Sequence, residues 1–303
     1  MRNILLKTTF KDDLTLLKPF YAFYKDIWNP ETYIFYIGYN KATAADLIQQ
    51  IEDRLQITLV YASVGSEAEP SIRNTRIYTH ANLWFVLYET EANPSAALWD
   101  FFMRPFLYKE MTGIPRPEGY RHYLNVDNDD FFYVKDVDAA LSKPVLQAHA
   151  LEFLSQEKFD LGQPMQFISS SYYYRVKGAL QQELRIDRDN AHNWCRSLFL
   201  SSPYKNETHV GISESCAPFR TIRDIPFEEL DNVCFAFGCI DLEYLLNAKY
   251  WLQSAREDTT RANYSRETIV QNFNDYYIVT DTERAKNLIL TCDWLKKYFQ
   301  DEV

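Results

Sequence analysis

The sequence predicts an α/β protein with a mostly parallel β-sheet flanked by helices and a helical C-terminal extension. Three observations lead there. Over the first 61 residues strand-like apolar runs alternate with helical periods in a β-α-β-α-β order, which a parallel sheet with helices on its faces requires. Further along, an apolar strand runs straight into a cluster of carboxylates, the place where parallel α/β sheets bind ligands. The chain closes on an apolar stripe at helical spacing.

Ile4 to Thr8 reads as a short buried strand. Leu17, Phe20, Tyr21, Tyr24, Ile27 and Trp28 recur at i, i+3, i+4, i+7 and predict a helix, with Pro19 near its first turn where a missing N–H costs little. Thr32 to Tyr39, rich in β-branched and aromatic residues, predicts a second strand. Ala44, Leu47, Ile48, Ile51 and Leu55 mark a second helix, and Ile57 to Tyr61 a third strand. Residues 62–79 are polar and read as loop. Residues 80–112 are apolar and aromatic, divided by Pro94, and read as two helices. After Pro115, Pro117 and Gly119, Tyr123 to Val126 forms a strand expected in the middle of the sheet, and Phe131 to Val134 another. A helix is expected around residues 139–156, strands at Met165 to Tyr174 and Cys195 to Leu200, and a helix through Leu242, Leu245, Leu246 and Lys249. Ala285, Leu288, Ile289, Cys292, Leu295 and Phe299 line up as a closing amphipathic helix, which must bury against its own domain or against a second copy in a homodimer. The division expected is a domain over residues 1–250 and a helical extension over 251–303.

Composition narrows the function classes. A net charge of −10 with scattered basic residues lacks the basic face that nucleic-acid phosphates require. Only eight glycines are present, and neither G-x-G-x-x-G nor G-x-x-x-x-G-K-[ST] occurs. Five cysteines without close spacing fit a reducing, cytoplasmic setting. No stretch approaches the roughly 18 to 20 apolar residues of a membrane span. The 22 tyrosines either line a sugar site, since a phenol offers both an apolar face and a hydroxyl, or pack the core.

The chemistry concentrates in Asp127-Asn128-Asp129-Asp130. A carboxylate pair at i, i+2 on a turn faces one hard cation, and oxygen ligands suit Mg²⁺ or Mn²⁺. Such an ion takes up charge as a diphosphate leaves. The alternative is a solvated acidic turn, since D-x-D alone is a short pattern.

Val126-Asp127-Asn128-Asp129-Asp130-Phe131 resembles the D-x-D-[DE]-F signature of family 2-like and family 92-like glycosyltransferases of the GT-A fold. Other segments fall in the same order: Leu5 to Lys11 resembles the opening strand beside the nucleoside, Trp194 to Phe199 a later basic-Ser-hydrophobic strand, and His209 the histidine that often follows it. Asp241 to Lys249 resembles a helix near the domain's end. The chain departs from the family at Asp130, where Glu is usual, and at Phe237-Gly238-Cys239, which replaces a histidine-tyrosine pair. The resemblance implies a Rossmann-like GT-A catalytic domain that moves a sugar from a nucleotide-sugar donor, a UDP-sugar first, to a carbohydrate or glycoconjugate acceptor, with inversion. It implies that Asp129 binds the metal directly and that Asp127 contacts the ribose or sugar or reaches the metal through water. His209 either completes the metal shell or is a packed residue. Thr8, Thr9, Phe10 and Asp127 would contact the donor. Asp12 and Asp13 either contact the nucleoside or cap the following helix. Asp187 and Asp189 are candidates for the base an inverting transfer needs, with Glu207 and Glu214 in the same part of the chain; taken singly, each reads first as a salt-bridged surface acid, Asp187 beside its flanking arginines. Two other readings of the same carboxylates are a metal-dependent nucleotidyltransferase, disfavoured by the lack of a basic phosphate loop, and a non-catalytic binding or scaffolding protein of this fold.

Overall fold

In the computed structural model, the residues described are 2–11, 13–39, 46–64, 73–89, 113–156, 158–169, 195–205, 208–210, 231–238, 240–244, 246, 270–271, 273–274 and 289–300. The chain is an α/β protein whose contacts divide it into two compact units, each with its own β-sheet.

The first unit comprises residues 1–128, 137–146 and 198–207. Its strands are β1 (Arg2–Lys11), β2 (Pro30–Tyr39), β3 (Val60–Val64), β4 (Arg73–His80), β5 (Leu83–Glu89) and β6 (His122–Asn125), with helices α1 (Leu17–Ile27) and α2 (Leu47–Leu55). The spatial order is β3-β4-β5-β2-β1-β6. The pairs β1–β2, β2–β5 and β1–β6 are parallel, while β3 and β4 add an antiparallel edge. As predicted, the β-α-β start forms because apolar spacing switches from period two to period 3.6 and back. Helix α1 buries Leu17, Phe20, Phe23 and Tyr24. Phe20 meets Phe10 and Phe35 at ring-centroid distances of 5.9 and 6.4 Å, so α1 is seated on the face of β1 and β2 that carries those rings. On the other face Leu5, Ile34, Tyr36, Val86, Tyr88 and Tyr123 form a second apolar layer. Gly38 allows it: a Cβ there would sit 2.8 Å from the Tyr88 hydroxyl. The buried rings of Tyr24, Tyr33, Tyr36 and Tyr88 show that part of the high tyrosine content packs this unit's interior.

Several elements differ from the sequence reading. Residues 73–80, expected as loop, are strand β4; its inward positions include Thr75 and Ile77, and the polar Thr75 hid the alternation. Residues 83–89, expected as helix, are β5, joined to β4 by the two-residue turn Ala81-Asn82. A strand buried on both faces reads as a continuous apolar run, which periodicity cannot separate from a helix. The third strand begins at Val60 rather than Ile57 and is antiparallel. Strand β6 ends the strand path instead of occupying its middle; its outer edge is met at the Tyr123 N–H by the Leu200 carbonyl, 2.9 Å away.

The second unit comprises residues 129–136, 147–197 and 208–303. Its sheet follows the order β11-β10-β8-β12-β7, built from β7 (Asp130–Val134), β8 (Val145–Phe153), β10 (Cys195–Phe199), β11 (Thr208–Val210) and β12 (Asn232–Ala236). Strand β9 (Gln166–Ser169) pairs with β8 and with β13 (Ile289–Thr291). Strand β8 pairs with β12 in parallel, whereas β7–β12, β8–β9, β10–β11 and β9–β13 are antiparallel. A single parallel sheet is therefore replaced by a mostly parallel sheet in one unit and a largely antiparallel one in the other. The helix expected over 139–156 is the short α3 (Val137–Leu141) followed by β8, whose apolar run is again that of a strand buried on both faces. The C-terminal amphipathic helix is also corrected. Ile289 to Thr291 is strand β13, Cys292 is neither helical nor extended (φ −125°, ψ 57°), Asp293–Leu295 is a 3-10 turn, and within 289–300 Lys296–Phe299 is α-helical (α5). Ladder bonds to β9 win over a helical period that β-branched Ile289 and Thr291 support weakly. The long helical face expected to pack or to dimerise is thus absent from residues 289–299. Leu242–Tyr244 (α4) is helical as expected. Residues 247–269 and 275–288, which hold the expected boundary at 250, lie outside the described residues. No helix among the described residues is long and apolar enough to cross a membrane.

Candidate metal centre

The first unit's parallel strands, taken in chain order, are β1, β2, β5 and β6, and in space they run β5-β2-β1-β6. The order reverses between β1 and β6. In open α/β sheets that reversal opens a crevice beyond the carboxyl ends of the strands, where ligands bind. Strand β1 ends at Lys11, the Val126 N–H donates to the Lys7 carbonyl (3.1 Å), and Asp127 follows.

Two polar side chains lie on one face of these paired strands. Lys7 and Asn125 are Cα partners in the β1–β6 register, and Thr9 shares the face of Lys7 two residues on. Lys7 is buried and donates to the Pro203 carbonyl at 3.3 Å; loss of hydration lowers its ammonium to about 8. The Asn125 amide donates to the Ser202 carbonyl (3.3 Å) and the Lys205 carbonyl (2.9 Å). The two side chains thereby pin the turn at 202–205. The buried Asn125 Oδ1 and the Thr8 and Thr9 hydroxyls have no hydrogen-bond partner among the described residues. A buried acceptor left this way costs about 1–3 kcal/mol, so each is a point where a polar ligand atom or water gains.

The carboxylates of Asp127, Asp129 and Asp130 each offer an oxygen within 4.8 Å of the others. Asp127 is half-buried, Asp129 is 8% exposed and Asp130 is fully buried. The Phe237 N–H donates to the Asp129 carbonyl at 2.7 Å, and a Cβ on Gly238 would stand 3.4 Å from Asp129 Oδ2. Asp130 starts β7 opposite Ala236 and is ion-paired through Oδ2 with Nη1 of buried Arg196. The three carboxylates are all oxygen donors and could hold a metal ion.

Thr8, Thr9 and Phe10 lie on β1 and Asp127 follows the neighbouring β6 in the same unit, while Asp129 and Asp130 belong to the second unit. Phe10 is core, packed on Phe20 and Phe35. Backbone pairing in β10–β11 sets His209 opposite Arg196; the His209 side chain lies outside the described residues, as do Asp12, Asp187, Asp189, Glu207 and Glu214. Asp13 accepts from the Thr15 N–H (2.7 Å), closing a turn ahead of α1, whose N-cap is Leu16. Sequence reasoning did not single out Asn125 or the pairing of Arg196 with Asp130. For Asn125 the signal was available: an amide inside an otherwise apolar strand must find partners when buried. The Arg196 pairing joins residues 66 apart in sequence, and nothing local announces it. No family model, curated protein or solved structure matches the chain.

Proposed function

We propose that this chain is a metal-dependent glycosyltransferase that takes a nucleotide-sugar donor, a UDP-sugar first, and passes the sugar to a carbohydrate acceptor in the cytoplasm. The observation that carries the reading is the reversal of strand order between β1 and β6 with Asp127 and Asp129 immediately beyond β6. A reversal point supplies a ligand crevice, and adjacent carboxylates are the donors a diphosphate-bridging dication needs. The unpartnered oxygens of Thr9 and Asn125 add hydrogen-bonding capacity on the same strands. In this reading Asp127 and Asp129 hold Mn²⁺ or Mg²⁺, whose bound charge stabilises the departing nucleoside diphosphate. Thr8 and Thr9 contact the donor, His209 is a candidate further ligand, and the base that deprotonates the acceptor hydroxyl comes from Asp187 or Asp189. The motif Val126 to Phe131 narrows the reaction from phosphate chemistry in general to glycosyl transfer.

The test is nucleoside diphosphate release from a panel of nucleotide sugars with Mn²⁺. Slow release without acceptor is expected from one donor, because water substitutes poorly for the missing hydroxyl. Asp129→Asn should reduce it at least about a hundredfold, since it removes one of few metal ligands, while circular dichroism stays that of the wild type. No release from any donor, with no donor-induced thermal shift, would sink the proposal.

A further inference from the structure

The described residues expose four large hydrophobic side chains, and three of them sit on one strand. Val60, Tyr61 and Val64 of β3 are 62%, 53% and 67% exposed. Strand β3 closes one end of the first unit's strand order, so its outer edge faces away from β4. Sheet edges ordinarily discourage further pairing with lysines, other charges or proline. Val60-Tyr61-Ala62-Ser63-Val64 contains none of these, in a chain of net charge −10. What it does contain is a bulge: the register with β4 shifts between Tyr61 and Ser63. Tyr61 opposes Tyr78 and Val64 opposes Arg76, two positions that share a face of β4. The bulge therefore sets Tyr61 and Val64 on one face, where regular alternation would separate them. The Tyr61 ring meets the Tyr78 ring edge-on at 5.6 Å, which agrees with that face.

We propose that the outer edge of β3 pairs with the same edge of a second copy of this chain, antiparallel about a two-fold axis between Ala62 and Ser63. The inference is independent of the metal-dependent reading above. In that register Tyr61 of each copy opposes Val64 of the other, and Ala62 opposes Ser63. A two-fold interface requires such reciprocity: if one residue meets another, the second meets the first. An aromatic side chain opposite a β-branched one is a favourable cross-strand pair, and here it forms twice, from residues that a single chain leaves exposed. The bulge selects the occupant. A regular strand laid along β3 falls out of register on one side of the extra residue, whereas a second copy carries the same extra residue at the axis and keeps the count on both sides. The strand holds no charge that would oppose a like charge across the axis. One short strand per copy buries far less than the roughly 1,200 Å² of a stable interface, so the association is weak and concentration-dependent.

The experiment is sedimentation velocity of the full chain across concentration. Wild type should be monomeric at about 1 µM and shift towards dimer by about 500 µM, the range a weak interface spans. Val64→Glu sets a carboxylate across the ladder from Arg76 in the single chain but buries it against Tyr61 in the pair. It should weaken dimerisation at least about tenfold with an unchanged Tm. Register is read by disulfide trapping. Chains carrying Tyr61→Cys, mixed under mild oxidant with chains carrying Val64→Cys, should give a cross-linked heterodimer by mass spectrometry. Its yield should exceed the homodimer of either variant alone at least about fivefold, because only opposed positions of paired strands reach disulfide geometry. A wild type that stays monomeric to about 500 µM overturns the proposal. A dimer that Val64→Glu leaves intact also overturns it, because the interface is then elsewhere on the chain. So does a mixture that traps no more heterodimer than the homodimers, which means another register. If Val64→Glu does not fold, the trapping decides.

Discussion

Lys7 carries an ammonium into the interior of a sheet, where it donates to the Pro203 carbonyl. Its pKa falls from 10.5 to about 8, chiefly because burial strips water from the charged form, against a smaller upward pull from Glu118. The folded state therefore disfavours the charged form by on the order of 3 kcal/mol at neutral pH. The sign follows from proton counting. Between pH 8 and 10.5 the unfolded chain binds more protons at this site than the folded one, so stability rises with pH through that window and the penalty is fully present below it. Lys7→Met removes the penalty and the titration together. Its stability advantage over wild type should be largest at pH 7 and shrink by about 2 kcal/mol by pH 9.5, read from urea unfolding at each pH. A difference independent of pH would mean that Lys7 titrates normally. His149, in the interior of the second unit, follows the same logic on the acid side: burial lowers it to about 4, so it is neutral in the folded protein at neutral pH.

At the scale of elements, α2 shows where backbone strain sits. Its closing residue, Gln56, is left-handed (φ 52°, ψ 47°) and donates its N–H to the Glu52 carbonyl. A non-glycine residue there carries about 1–2 kcal/mol of steric cost, and glycine recovers it at an entropic cost of roughly 0.5–1 kcal/mol. Gln56→Gly should therefore stabilise the protein by about 0.5–1 kcal/mol, visible as a rise in Tm; a fall would show that the Gln56 side chain contributes contacts outweighing the strain. The C-terminal segment makes the opposite case. Strand β13 extends the sheet through β9; after it Cys292, Leu295 and Tyr298 are buried, and the Trp294 ring meets Tyr133 at a tilt and Phe235 edge-on. Burying side chains of this size is worth about 1.5–3 kcal/mol each. Removing residues 289–303 should lower stability by several kcal/mol, enough to unfold the second unit, measured by near-ultraviolet circular dichroism and protease sensitivity. A truncated chain with an unchanged melting curve would make this segment a dispensable tail.

Across the whole molecule, the chain builds two cores of different kinds. The first unit places a helix on one face of a parallel sheet and an apolar layer on the other. The second gathers Phe131, Phe153, Phe159, Phe167, Phe237 and Phe299 into one network of ring contacts. The chain enters each unit more than once: segments 137–146 and 198–207 belong with the N-terminal unit although residues 129–136 and 147–197 do not. Such returns are invisible to a reading that walks along the sequence.

The sequence by itself determined the opening β-α-β through α2, the strands at 122–125, 130–134 and 195–199, and the acidic residues at 127–130. These are settled by local rules: alternation of period, the composition of strands, and carboxylates following an apolar run. Tertiary structure decided the rest. Whether the apolar runs at 83–89 and 145–153 become strand or helix depends on which ladders are open beside them, since both states bury the same side chains. Whether Ile289 to Thr291 continues a helical stripe or joins β9 depends on an edge more than a hundred residues earlier in the chain. And that Asp130 is buried against a guanidinium depends on Arg196 arriving from another strand, because charge compensation in a buried place is a property of neighbours in space, which sequence proximity does not specify.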